Sequence, residues 1–204
     1  MNPTRRVLLV GGAALTASGC SLLRAPEPVQ LYRFGQSAAV SGAASPGGAT
    51  VLYTGTAFPR EAAVDRILTS NGVEVSYVGG SRWSAPALIL FEEAVLRAFQ
   101  GSPVRLVRRG ATARADATLR IEVRTFEARY SSPDAAPVVV IESRALLTPV
   151  AGGAGTIDQD FSVRQPVAEN RVSAIASAFD AATAEVLGRI FQWTGANARA
   201  AATA

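Results

Sequence analysis

Histidine and lysine are both missing from this chain of 204 residues, and cysteine occurs once, at position 20. Each absence removes chemistry. Without histidine, a serine or cysteine nucleophile has lost its usual general base. A zinc site would have to be built from carboxylates alone, because the imidazole and thiolate ligands that normally hold the metal are not there. Without lysine there is no phosphate-binding P-loop, Schiff base or Ser–Lys dyad. A single cysteine forms no disulfide within the chain. Of the enzyme classes, a carboxylate-dependent hydrolase survives this sieve, yet the 16 acidic residues show no spacing that marks a site. The expectation is therefore no catalytic residue, no metal and no cofactor. Long apolar runs are also scarce. The longest, residues 7–15, is far short of the ~20 residues that span a bilayer.

What is present begins at the N-terminus. Arg5 and Arg6 precede the apolar stretch, and the small residues Ala17, Ser18 and Gly19 lead directly into Cys20. A basic start, a short apolar segment and a small-residue cleavage point make a secretory signal peptide. The junction resembles the lipobox of bacterial lipoproteins, in which the thiol takes a diacylglycerol and the chain is cut before the cysteine. Two other readings remain beside it: an ordinary signal peptide leaving a free thiol, and a plain cytoplasmic N-terminus. Two arginines suit either the general or the twin-arginine export route. On the lipobox reading, residues 1–19 are removed, Cys20 is the lipidation site, residues 20–28 are a tether, and residues 29–194 form the domain.

The pI near 10 invites a nucleic-acid reading. Loss of Arg5 and Arg6 with the signal peptide leaves 18 arginines against 16 acids, close to neutral. The densest basic stretch, Arg105, Arg108, Arg109 and Arg114, also lacks an aromatic residue on which a base would stack. No nucleic-acid partner is expected. That stretch reads first as a solvated strand edge and loop, and second as a contact for anionic lipid head groups or an acidic protein.

An apolar share of 49% fits a packed globular core. Residues 29–34 read as a first strand and 50–53 as a second. Residues 59–65 form a turn or short helical segment before a strand at 66–69. Asn71-Gly72 marks a hairpin, after which Val73, Val75 and Tyr77 alternate with polar residues as in a half-buried strand. A first helix opens with Ser84 as N-cap and Pro86 in its first turn. Leu88, Phe91, Val95 and Phe99 form its apolar stripe, with Glu92 and Glu93 solvated. Three long strands follow. In 117–130 the alternation changes phase, and a one-residue bulge near Arg124-Thr125 restores Phe126, Ala128 and Tyr130 to the apolar face. Val139, Ile141, Ala145 and Leu147 point inward from the next strand, and Ile157, Phe161 and Val163 from the last. A second helix, about 171–193, buries Ile175, Phe179, Ala182, Val186 and Ile190, and residues 195–204 read as a disordered tail. These elements pack as a single α+β domain: a mostly antiparallel sheet with both amphipathic helices on one face.

The order of elements resembles that of the ABC-type transport auxiliary lipoproteins, the group that includes paraquat-inducible protein C. The residues that carry the resemblance are Leu31-Tyr32-Arg33 soon after the cysteine, Pro59 with Asp65-Arg66, the Asn71-Gly72 hairpin, Arg82-Trp83-Ser84-Ala85-Pro86, and a final helix ending in aromatics. It implies a non-enzymatic, periplasm-facing lipoprotein that serves an ABC permease and ATPase together with a mammalian-cell-entry-domain protein, moving phospholipid or other hydrophobic molecules. Ser21 after the cysteine fits sorting to the outer membrane. Arg82 and Trp83 are the expected partner surface, with core packing the preferred role for Trp83. A homo-oligomer is left open. The competing class is a structural envelope lipoprotein that supports another outer-membrane assembly.

Overall fold

The computed structural model describes residues 28–38, 48–100, 104–150 and 155–203. Cys20, the signal segment and most of the tether lie outside them. The longest strand, β7 (Ala117–Tyr130), organises the rest. At ~3.3 Å per residue it runs roughly 46 Å. Along one side it pairs antiparallel with β8 (Val138–Pro149), which pairs antiparallel with β9 (Ile157–Pro166). Its other side is shared. The first half takes β2 (Thr50–Ala57) in parallel, and the second half takes β3 (Leu68–Asn71), also in parallel. β4 (Glu74–Tyr77) hairpins onto β3, and β6 (Arg105–Arg108) lies parallel to β2. A separate parallel pair joins β1 (Gln30–Tyr32) to β5 (Ser81–Trp83).

The chain is thus a single-domain α+β fold with a mixed sheet. The antiparallel meander is β7–β8–β9, while β2, β3 and β6 add in parallel. Parallel neighbours need long crossovers, and the one from β2 to β6 contains the hairpin, β5 and the first helix.

Side-chain alternation decides which face is dry. Leu119, Ile121, Phe126 and Ala128 of β7 are buried, with Leu147, Ala145, Ile141 and Val139 of β8 beside them on the same face. The β7–β8 register slips between Val123 and Thr125, so one extra residue restores the phase of the apolar set. Phe161 and Val163 of β9 are buried as expected, but Ile157, at the strand's first position, is exposed. The opposite face carries ion pairs such as Arg124–Asp160 at 3.1 Å and Arg129–Glu127 at 2.8 Å.

Both helices cover the dry face. α2 (Val172–Thr203) lies across β7, β8 and β9 and buries Ile175, Phe179, Ala182, Val186 and Ile190. It continues past Trp193, so the segment expected to be disordered is helical as far as Thr203, with Thr194 and Ala198 buried. α1 (Ala87–Ala98) packs on α2 and β2. Its buried stripe is Ala87, Leu90, Phe91, Ala94, Val95 and Ala98. Leu88 stands at the margin of that stripe.

The hairpin turn forms at Gly72-Val73, with Gly72 at φ +62° and Asn71 opposite Glu74. Positive φ at the first central residue alone is the II′ geometry that glycine favours. The strand beyond it is not half-buried: Val73 is 98% exposed, and Val75 is exposed too. Among the described strands β4 pairs only with β3 and is an edge. Period-two alternation shows which residues share a face, not whether another layer covers that face.

Candidate docking surface

The segment after Pro59 makes a turn, with the Ala62 and Ala63 amides donating to the Pro59 carbonyl at 3.1 and 2.8 Å. It then runs alongside residues 83–88. Trp83 N–H donates to Asp65 O at 2.7 Å, Ala87 N–H to Val64 O at 2.9 Å, and Leu88 N–H to Ala63 O at 3.4 Å. The first amides of a helix have no partner within it, and here main-chain carbonyls supply two. That arrangement displaces Ser84 from the capping role expected of it: the cap position is Pro86, and no side chain caps the helix. Ser84 N–H donates instead to Tyr32 O at 2.7 Å, fastening β5 to β1.

These contacts enclose a groove of about 550 Å³, lined by Leu31, Val64, Asp65, Arg82, Trp83 and Pro86 among others. Leu31, in its wall, is 56% exposed, and Val64 is also exposed. Arg82 reaches Asp65 at 2.9 Å, both side chains remaining accessible to water. An exposed pair of this kind contributes at most about 1 kcal/mol, so it orients Arg82 more than it stabilises the fold.

The two residues expected to form a partner surface therefore divide. Arg82 stands at the groove's edge. Trp83 is only 2% exposed. Its indole meets Phe34 edge-on at 4.9 Å and Phe179 at 5.3 Å, while Phe126 contacts both phenylalanines at 5.1 and 4.8 Å. The role favoured for Trp83 in the sequence, core packing, is where the structure puts its side chain. Leu31 and Val64 were missed as groove residues. Each looks like an ordinary apolar strand or turn residue, and only the turn after Pro59 brings them together.

Glu92, read as solvated, is half-buried; its Oε1 accepts the Thr56 amide at 3.3 Å, beside the irregular step between Tyr53 and Thr56 in β2. The Tyr53 and Thr56 hydroxyls share a short hydrogen bond. Burial pushes the Tyr53 phenol far above the ordinary tyrosine range; the Thr56 bond opposes the shift, and the Glu92 charge adds to it. These groups hold a strand irregularity. Among the described residues, no group of three or more His, Cys, Asp or Glu side chains converges to hold a metal, and no helix is long and apolar enough to cross a membrane. Arg105, Arg108, Arg109 and Arg114 are all exposed, on β6 and the turn after it.

Protein XCC0632 from Xanthomonas campestris has a similar structure, with a TM-score of 0.71 over 86% of this chain and 100% of that one, at 23% identity. The hypothetical protein CT253 from Chlamydia trachomatis aligns over 74% of this chain and 100% of its own, with a TM-score of 0.52 and 10% identity. Identities this low speak for the fold alone. No curated protein matches the sequence. The family model described as ABC-type transport auxiliary lipoprotein component matches residues 36–190, nearly all of the α+β domain just described. The chain belongs to the family of ABC-type transport auxiliary lipoprotein components.

Proposed function

We propose that this chain is a non-enzymatic docking subunit of an ABC-type lipid transport system, lipid-anchored through Cys20 in the outer membrane and facing the periplasm. In this reading its partners are a mammalian-cell-entry-domain protein and the permease and ATPase behind it. Family membership carries the proposal, since an auxiliary transport lipoprotein needs a surface for its transporter more than it needs a reaction centre. The groove at Arg82 supports it as that surface. Its wall is apolar at Leu31 and Val64, its rim carries an oriented guanidinium, and the domain's entry from the tether, β1, forms part of it. An apolar centre with a polar rim is the usual anatomy of a protein interface.

The test is co-purification from cells. The full chain, extracted in mild detergent, should bring down the permease, the ATPase and the mammalian-cell-entry protein. Val64→Asp with Arg82→Glu should reduce their recovery at least tenfold at unchanged expression. Recovery of peptidoglycan-associated or outer-membrane assembly proteins alone, with no transporter component, would replace the proposal with a structural envelope role.

A further inference from the structure

Seven other arginines among the described residues each reach a carboxylate. The four between positions 105 and 114 form no ion pair in the described structure, although they crowd one strand and the turn that follows it. Asp116, the acidic residue nearest in sequence, accepts the Thr50 amide at 2.8 Å.

The strand that carries them has an open side. β6 pairs with β2 and with no other described strand. Arg105 N–H donates to Ala49 O at 2.9 Å, so the main chain of Arg105, and by alternation that of Val107, is turned toward β2. Leu106 therefore turns its N–H and C=O outward, and Arg108 its N–H. The Arg108 carbonyl already accepts the Ala111 amide at 3.1 Å. Alternation also sends Arg105 and Arg108, three residues apart, to opposite faces of the sheet. A guanidinium thus flanks the free edge on each side.

We propose that the outer edge of β6 accepts an extended acidic segment of a partner protein as an added strand. Main-chain bonds to Leu106 and Arg108 would set its register, and carboxylates three residues apart on the incoming strand would meet Arg105 on one face and Arg108 on the other. Strand addition of this type draws affinity from the backbone and selectivity from alternate side chains. Guanidinium–carboxylate pairs add charge-assisted bonds and speed encounter. A lipid surface fits less well, because head groups do not pair with the outward amides of a strand. The site stands apart from the groove at Arg82 and does not depend on it.

The probe is a fluorescent twelve-residue peptide of Thr and Val carrying two Glu-x-x-Glu steps, added to the full chain in neutral detergent. Saturable binding is expected, weakened at least tenfold in Arg105→Glu with Arg108→Glu and unchanged in Arg82→Glu. Replacing alternate peptide residues with proline, which cannot donate to a ladder, should weaken it by a similar factor. Circular dichroism on each variant separates lost binding from lost folding, and a misfolded Glu pair would be replaced by Arg105→Gln with Arg108→Gln, for which a fivefold loss is expected. No saturable binding would mean that the arginines only guard an edge against self-association. Binding indifferent to proline would reduce the site to bulk charge. Arginine-dependent binding to phosphatidylglycerol vesicles without peptide binding would make it a membrane contact. Each of these three results overturns the proposal.

Discussion

Phe179 of α2 ties the small sheet to the main one through the aromatic core. It is fully buried, touching Trp83 from the small β1–β5 sheet and Phe126 from the main one. Phe179→Ala should lower stability by ~3–5 kcal/mol, because truncation leaves a cavity between rigid elements that do not collapse together. Urea unfolding measures it, and a midpoint close to wild type would place α2 at the periphery. Gly35 offers a second test. Its φ is +79°, and an added Cβ would lie 2.5 Å from the Cβ of Ala94 on α1. The loop has little room to retreat: the Asp180 carboxylate accepts the Gln36 amide at 2.8 Å and the Ser37 hydroxyl at 2.5 Å, and Arg97 Nε donates to the Gly35 carbonyl at 3.0 Å. Gly80, at φ +64°, has open space around it. Gly80→Ala should cost only the left-handed backbone strain, about 1–2 kcal/mol. Gly35→Ala should add ~1–3 kcal/mol of overpacking to that. Equal melting temperatures for the two variants would show that the wedge between the helices yields freely.

At the scale of elements, α2 is the one whose length matters most. Its 32 residues extend roughly 48 Å, about the length of β7, and its last turns reach the residue just before β6, where Gly195 lies beside the Val104 side chain. A chain ending at Trp193 loses the buried Thr194 and Ala198 and should melt several degrees lower. No change would mean that the final turns contribute nothing. Those turns were illegible because alanine, asparagine and glycine make no periodic pattern, although Ala198 belongs to the buried core. The opposite holds for β7. Its phase change is written in the order of Val123, Arg124, Thr125 and Phe126, and the bulge follows from the requirement that both apolar sets face one core. The stripe of α2 was legible for the same reason. Pairing direction was not: nothing in Thr50–Ala57 encodes that its neighbours run parallel, and the three residues of Ser81–Trp83 are too few for periodicity to declare a strand. Of the candidate site, the segment 82–86 was legible as a motif, but which of its side chains faces water was settled by the fold around it.

At the scale of the whole molecule, the proposed anchor and the two proposed surfaces make separable demands. Residues 21–28, even fully extended, reach no more than about 30 Å, whereas β7 alone spans roughly 46 Å. β1 emerges beside β5 and the groove, while the start of β6 lies level with Thr50 and the beginning of β7, in the half of the main sheet that β3 does not reach. A domain held at Cys20 and standing on its tether would keep the groove near the membrane and carry the arginine edge away from it, into reach of a partner that crosses the periplasm. Anchoring in this arrangement creates no new contact. It raises the effective concentration of both surfaces at the transporter, and stable anchoring takes more than one acyl chain. Cys20→Ala should therefore leave the folded domain unchanged by circular dichroism and shift the protein from the membrane to the soluble fraction. At native expression it should fail to restore envelope resistance to detergent in a deletion strain, and strong overexpression should recover part of that resistance by mass action. Intact mass spectrometry of the membrane-extracted wild type should show an acylated N-terminal Cys20. An unmodified Cys20 there, or full complementation by Cys20→Ala at native level, would remove the anchor from the mechanism while leaving both docking surfaces to stand on their own tests.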